Sequence, residues 1–275
     1  MATESSPPDA SAAERRELLA AFDTQMRWPA SIPRTEGTHE ETDGPVYRRW
    51  DRGPRGFVMG RDLAPLDDRQ LDALIRRQID FFAERSVPFE WKAFSHDQTA
   101  GLTQRLLGHG FVPEEQESLV IGRLSQIDQE SSPPPGVTIR GVHTRADTGR
   151  MAELLTLVDG EDRSFLGELL YREQRANPDH GVLLVAEAKG KLVATARLEL
   201  APNTQFASLW TGSTLPEWRR KGIYRSLVAY RARLAAERGY RYLQVDASEK
   251  SRPILERLGF VTVSTTTPFI WTPPA

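Results

Sequence analysis

The sequence predicts an α/β fold made of two related modules, the first of them incomplete. Three observations point to it. Strand-like runs alternate with amphipathic helical segments along most of the 275 residues. One strand-like run, Phe206–Thr214, passes through a basic turn directly into a helix. The order helix, strand, helix, Gly-Phe also occurs twice, ending once in Arg105-Leu106-Leu107-Gly108-His109-Gly110-Phe111-Val112 and once in Glu256-Arg257-Leu258-Gly259-Phe260-Val261.

Taken in order, residues 2–13 are small, polar and Pro-containing, which suits a flexible tail. Residues 14–27 carry Leu18, Leu19, Phe22 and Met26 at helical spacing. The polar, Pro/Gly-punctuated segment 29–44 reads as a linker or long loop. Strand at 57–63, helix at 67–85, strand at 89–94, helix at 99–107 and strand at 118–124 follow. The run Ser131-Ser132-Pro133-Pro134-Pro135-Gly136 can neither continue a helix nor pair in a central strand, so residues 126–136 read as a semi-rigid spacer. Beyond it come a strand at 137–142, helices near 146–158 and 164–176, and strands at 182–188 and 192–200 joined at Lys189-Gly190. The central strand 206–214, a helix at 223–238, a strand at 240–247, a short helix at 252–258 and a strand-rich end at 261–271 complete the chain. Ile223, Leu227, Tyr230 and Leu234 are expected to face a sheet. The expected division is a flexible N-terminus with one amphipathic helix at 1–44, a degenerate module at 45–125, the linker at 126–136 and a complete module at 137–275.

Composition narrows the function. Hydrophobic residues make up 39% and charged residues 27%, as in a soluble globular protein, and the net charge of −2 gives no broad pull toward nucleic acid or anionic membrane. No cysteine is present, which excludes disulfides, thiolate metal sites and a cysteine nucleophile, and fits a reducing compartment. The five histidines are scattered without metal-ligand spacing, so no metal is expected. Neither a signal-peptide pattern nor a membrane-length apolar run is seen, so the expected location is cytoplasmic.

The chemistry concentrates in Arg219-Arg220-Lys221-Gly222-Ile223-Tyr224-Arg225. A helix start offers unpaired N–H groups and the positive end of its dipole, and here three cations and a glycine precede it. That combination suits a pyrophosphate; an ordinary basic helix cap is the plainer alternative. In the first half the matching stretch, Ala64-Pro65-Leu66-Asp67-Asp68-Arg69, places two carboxylates at the helix start, which cap a helix but repel phosphate.

Arg219-Arg220-Lys221-Gly222-Ile223-Tyr224 resembles the Arg/Gln-x-x-Gly-x-Gly/Ala pattern of the GNAT superfamily of N-acetyltransferases, and Asp246-Ala247-Ser248 through Gly259-Phe260 resembles that family's closing strand, helix and Gly-Phe segment. The likeness extends over 137–271. It implies tandem GNAT-like modules, each with a mixed central sheet splayed open and flanked by helices, the first a degenerate one that binds no CoA. It further implies that the pantetheine arm of acetyl-CoA, as co-substrate, lies between strands 206–214 and 240–247, with Ser213, Thr214 and Leu215 offering backbone contacts. The pyrophosphate would then rest on Arg219, Arg220, Lys221, Gly222, Ile223, Tyr224 and Arg225, and Ser248 would take a place where many members carry asparagine. Tyr224 departs from the family's final Gly/Ala, and Leu255 stands where many relatives place a tyrosine that protonates the leaving thiolate.

The implied reaction is direct attack of a primary amine on the thioester, with a small molecule or a peptide as acceptor. Glu199 is the candidate general base and Asp246 a second carboxylate on the far strand, although both also read as ordinary strand-end carboxylates. Trp210 and the acidic loop Asp159-Gly160-Glu161-Asp162 could border the acceptor. A non-catalytic acyl-CoA-binding sensor is the alternative, motivated by the missing tyrosine.

Overall fold

The computed structural model describes residues 10–27, 37–51, 53–61 and 63–274. The chain forms two compact units. One comprises the described residues of Met1–Thr35 with Val120–Val245 and Lys250–Thr262; the other comprises those of Glu36–Leu119 with Asp246–Glu249 and Val263–Ala275. The Pro-rich stretch 126–136 falls inside the first unit.

The first unit opens with helix α1 (Ala12–Gln25), capped by the Ser11 hydroxyl and buried through Leu18 and Phe22. Its sheet is mixed. Strands β7 (Val137–Gly141), β8 (Gly181–Ala188), β9 (Lys191–Leu200) and β10 (Phe206–Thr214) are successively antiparallel, and β11 (Tyr242–Ala247) lies parallel to β10. Alternation along β8 divides the core in two. Leu184 and Ala186 pack with Ile223 and Leu227 of α6 (Ile223–Glu237), whereas Leu183 and Val185 pack with Met151 and Leu154 of α4 (Arg145–Asp159) and Leu170 of α5 (Phe165–Ala176). Helices therefore cover both faces.

The second unit repeats the central plan. Strand β2 (Val46–Trp50) is antiparallel to β3 (Gly56–Gly60), and β3 runs through α2 (Asp68–Ala83) into the parallel strand β4 (Phe89–Phe94). That is the arrangement of β9, β10, α6 and β11. After α3 (Leu102–Gly108) and the two-residue β5 (Val112–Pro113), β6 (Glu117–Arg123) leaves this unit at Leu119. The strand that pairs with β4 is instead the C-terminal part of β12 (Phe260–Trp271), antiparallel from Thr266↔Phe94 to Trp271↔Phe89. The core is aromatic, with Phe82 stacked on Phe89 at 4.3 Å and Phe111 edge-on to Phe89 at 5.3 Å.

The expected elements recur within a few residues, with two corrections. Segment 29–44 was expected to be loop. Its residues 29–36 lie outside the described residues, but His39–Asp43 forms strand β1, paired with β2 across Gly44-Pro45. Every side chain of β1 is polar and none is buried, so hydrophobic alternation gave no sign of it; the Asp43-Gly44 turn was the available signal. The inward face of α6 also differs from the Ile223, Leu227, Tyr230, Leu234 stripe. Ile223 and Leu227 do enter the core and Tyr230 packs partly buried against it, but Leu234 is only half-buried, and the buried face is broader, adding Ser226, Val228, Ala229, Arg231, Ala232 and Ala235.

Candidate active site

Strand β10 determines the site. It pairs in parallel with β11 only from Phe206↔Tyr242 to Ser208↔Gln244, although β10 continues to Thr214 and β11 to Ala247. The strands thus splay, and among the described residues β10 keeps its antiparallel neighbour β9 alone over the second half of its length. Within that half the register slips: Trp210 faces Arg197 and Ser213 faces Thr195, so Thr211 and Gly212 together oppose the single residue Ala196. Thr211 sits at φ 48°, a left-handed backbone that a β-branched residue adopts only when its surroundings impose it. The Thr195 hydroxyl donates to Thr211 O at 2.9 Å and fixes it there. The hydroxyls of Thr211 and Thr214 are buried with no partner among the described residues. Trp210 is 42% exposed, an uncommon state for a tryptophan in a central strand.

From Leu215 the chain makes a short 3-10 turn at Pro216–Trp218 and reaches the basic residues. Arg219 Nε donates back to Thr214 O at 3.1 Å, tying the turn to the end of β10. Arg220 has φ 60° and Gly222 φ 85°, so the backbone folds left-handed on both sides of Lys221 before α6 begins. Gly222 is the N-cap and brings no capping side chain; no acid lies in the first turn. The N–H groups at the start of α6 are therefore left for a ligand. Lys221 lies over the Trp218 ring at 4.6 Å, and Arg225 pairs with Asp128 at 2.9 Å. An anion fits here: uncapped amides, surplus positive charge and two orphan hydroxyls on the adjoining strand.

Tyr224, the departure from the family pattern, turns toward the sheet. Its ring would lie 3.3 Å from a Cβ on Gly212, so the glycine is what admits it beneath the bulge. Burial pushes its phenol above the ordinary value, with Arg231 acting in the opposite direction. Arg231 itself, absent from the sequence reading, is 1% exposed. Leu255 is wholly buried, so its position contributes to the core.

Ser213, Thr214, Leu215 and Arg219 through Arg225 thus come together in the first unit, with Ile223 turned into its core. Ser248 belongs to the second unit. Glu199 lies on β9 opposite Ser208, held by Arg197 at 3.0 Å; the same guanidinium nitrogen binds Glu173 at 2.9 Å. The acidic loop is largely satisfied internally, because Arg163 pairs with Asp159 and Glu161 while Asp162 accepts from Ser164 N.

Asp246 lies in the second unit in a buried ion pair with Lys92, and its Oδ1 has no hydrogen-bond partner among the described residues. Around that pair stand Glu90 and Glu117. The Glu117 carboxyl is pushed up to about 7, by burial first and by the Asp246 charge second. The sequence offered no signal for this cluster, whose members come from β4, β6 and β11. His96 contacts the Ser264 hydroxyl and His109 contacts Asp72, both local partners. No group of potential metal ligands occurs among the described residues, and none of their helices is long and apolar enough to cross a membrane.

Comparison with known proteins adds an independent line. Residues 150–260 match the family described as Acetyltransferase (GNAT) family. No curated protein matches. Among solved structures, a GCN5-related N-acetyltransferase from Kribbella flavida has TM-score 0.67 and 16% identity, covering 98% of each chain. A GCN5-related N-acetyltransferase from Sphaerobacter thermophilus has TM-score 0.63 and 17% identity, covering 84% of this chain and 78% of its own. A tandem GNAT protein from the clavulanic acid biosynthesis pathway has TM-score 0.64 and 12% identity, covering 97% and 98%. At these identities the likeness concerns the fold, and it runs nearly the whole length of the chain. The splayed strand pair and the uncapped basic helix start both lie within residues 150–260, the stretch that matches the GNAT acetyltransferase family.

Proposed function

We propose that this protein transfers the acetyl group of acetyl-CoA to a primary amine by direct attack, with the second half of β10 and the start of α6 as the CoA seat. The single observation that carries the reading is the uncapped, acid-free start of α6 immediately after a strand that has parted from its parallel neighbour. The helix start and the Arg219–Lys221 charges suit a pyrophosphate. The open edge of Leu209–Thr214 suits an extended amide-bearing arm, which pairs as an added strand would. Acetyl-CoA brings the thioester; the chain orients the amine, accepts its proton and stabilises the negative oxygen that forms. Glu199 is the proposed base. With position 255 in the core, no side chain is assigned to protonate the thiolate, and solvent serves.

The first half is proposed to bind no CoA. Its equivalent of the basic turn is the start of α2, where Asp67 accepts from Gln70 N and Gln70 returns a bond to Asp67 N, so a capping box already occupies the amides an anion would need. A cytoplasmic location and a small-molecule or peptide acceptor belong to the same proposal. Titration calorimetry with acetyl-CoA, followed by thiol release across a panel of amines, tests it. Binding without amine-dependent release would favour a sensor, and absence of binding would end the reading.

A further inference from the structure

Arg231 is a cation buried without a counter-ion. It sits in the third turn of α6, on the face that carries Tyr224 and Leu227, and is 1% exposed. No carboxylate lies within ion-pairing distance of it among the described residues. Its Nε donates to Leu227 O at 3.0 Å and its Nη1 to Arg197 O at 3.2 Å. Arg197 is the β9 residue opposite the start of the β10 bulge. Nη2 lies 3.9 Å from where a Cβ of Gly212 would be. Burial lowers the guanidinium to about 10, with Tyr224 acting in the opposite direction, so it stays charged at neutral pH. A buried, unpaired charge is among the more costly features a core can hold. Thr211, in the same bulge, is held in a left-handed conformation.

The bulge and the cation explain each other. A bulge breaks the ladder and leaves carbonyls without their strand partners. Here Thr195 serves Thr211 O from β9, and Arg231 serves Arg197 O from the helix side. A Cβ at 212 would press on the Tyr224 ring at 3.3 Å and only touch the fork at 3.9 Å, so the glycine makes room for the ring that lies beside the guanidinium. A neutral donor could make the bond to Arg197 O equally well, so the bond alone does not account for an arginine. The charge is accounted for if negative charge develops on the other side of the bulge.

Resting on the acetyltransferase reading above, we infer that Arg231 is a positioning residue for the transfer step: its guanidinium holds the β10 bulge in its strained form and sets a fixed positive charge behind Thr211–Ser213, where the thioester oxygen gains charge. In that step the amine nitrogen bonds to the thioester carbon, the carbonyl electrons move onto oxygen, and re-formation of the carbonyl expels the CoA sulfur as thiolate. The amine proton leaves to a base, and Arg231 exchanges no proton. The interaction strengthens only as the oxygen becomes negative, so it acts on kcat more than on binding.

The test compares the wild-type protein with Arg231→Gln and Arg231→Lys, measuring thermal unfolding, acetyl-CoA affinity by calorimetry, and kcat and KM with the best amine of the panel. Arg231→Gln places its amide near the Nε position, within reach of Leu227 O, and loses both the charge and the bond to Arg197 O. It is expected to hold its acetyl-CoA Kd within about threefold while kcat falls about tenfold or more, below the roughly 100-fold loss seen when a direct oxyanion donor is removed. Arg231→Lys restores the charge and should recover most of that loss. An unchanged kcat in Arg231→Gln, or a lysine variant no better than the glutamine one, overturns the inference. If the glutamine variant does not fold, Gly212→Ala decides. Its methyl meets the Tyr224 ring at 3.3 Å, so the ring beside the fork must give by a few tenths of an ångström while the charge stays, and kcat should fall at least threefold at constant Kd; no change overturns the inference. A wild-type protein that binds acetyl-CoA and turns over no amine overturns the transferase reading, and the inference with it.

Discussion

Gly222 offers a clean separation of charge from backbone at the proposed CoA seat. At φ 85° it occupies the left-handed region, and a Cβ added there would meet nothing within 4 Å. Alanine at this position should therefore bring backbone strain and no clash, costing about 1–2 kcal/mol of stability. Glutamate should carry the same strain and add a negative charge at the positive end of α6. Two like charges ~6 Å apart at an effective dielectric of 20 repel by about 3 kcal/mol, and solvent at this exposed turn reduces that to about 1.5–2.5 kcal/mol. Gly222→Ala is expected to bind acetyl-CoA within about threefold of wild type. Gly222→Glu should bind about 10–100-fold more weakly than Gly222→Ala, although the two unfold at similar temperatures. Calorimetry and thermal melts on the three proteins give the answer, and the gap in affinity should shrink as salt is raised. Equal affinity in the alanine and glutamate variants would refute the assignment of this helix start as the anion seat.

Three further outcomes are expected. Glu199→Gln should lower kcat about 100-fold with little change in acetyl-CoA affinity, the usual scale for loss of a general base; a kcat within twofold of wild type excludes Glu199 from that role. For Glu117, the folded-state pKa of about 7 lies above the ordinary 4.5, so the native protein favours the protonated acid. The stability this contributes is complete below 4.5 and is lost as pH rises through about 7, at most about 3 kcal/mol because the side chain is only partly buried. Denaturant unfolding of Glu117→Gln should match wild type at pH 4.5 and exceed it at pH 8, and the opposite order would contradict the burial argument. Asp67→Ala removes the capping box of α2 and should cost about 1 kcal/mol by the same assay, with no effect on acetyl-CoA binding.

How far the site was legible depended on whether its parts were local. The basic turn and α6 could be read because a run of cations, a glycine and a helical periodicity are contiguous, and their chemistry needs no distant partner. The parting of β10 from β11 could not be read from Phe206–Thr214 itself and was expected only from the family likeness. The bulge at Thr211-Gly212 left no mark in the hydrophobic alternation, since Trp210 already breaks it. Arg231 was invisible for a more general reason: an arginine on a helix is expected at the surface, and only its helical phase relative to Gly212 buries it. Strand β1 escaped because polar edge strands carry no apolar period.

Local sequence sufficed for the order of the elements other than β1, β2 and β5, for the double occurrence of strand, helix and strand, and for the difference between the two helix starts, one basic and one acidic. All of these follow from interactions within a few residues along the chain. Only the tertiary structure decided which strands are neighbours. Strand β12 completes the sheet of the second unit by pairing with β4, a partner more than a hundred residues earlier, and no local propensity distinguishes that partner from any other open edge. Tertiary contact likewise brings Lys92, Glu117 and Asp246 into one cluster, and the packing of α6 on β9 and β10 places a buried cation under a strained bulge. Backbone edges are chemically alike, so it is the burial of a whole sheet face that selects among them.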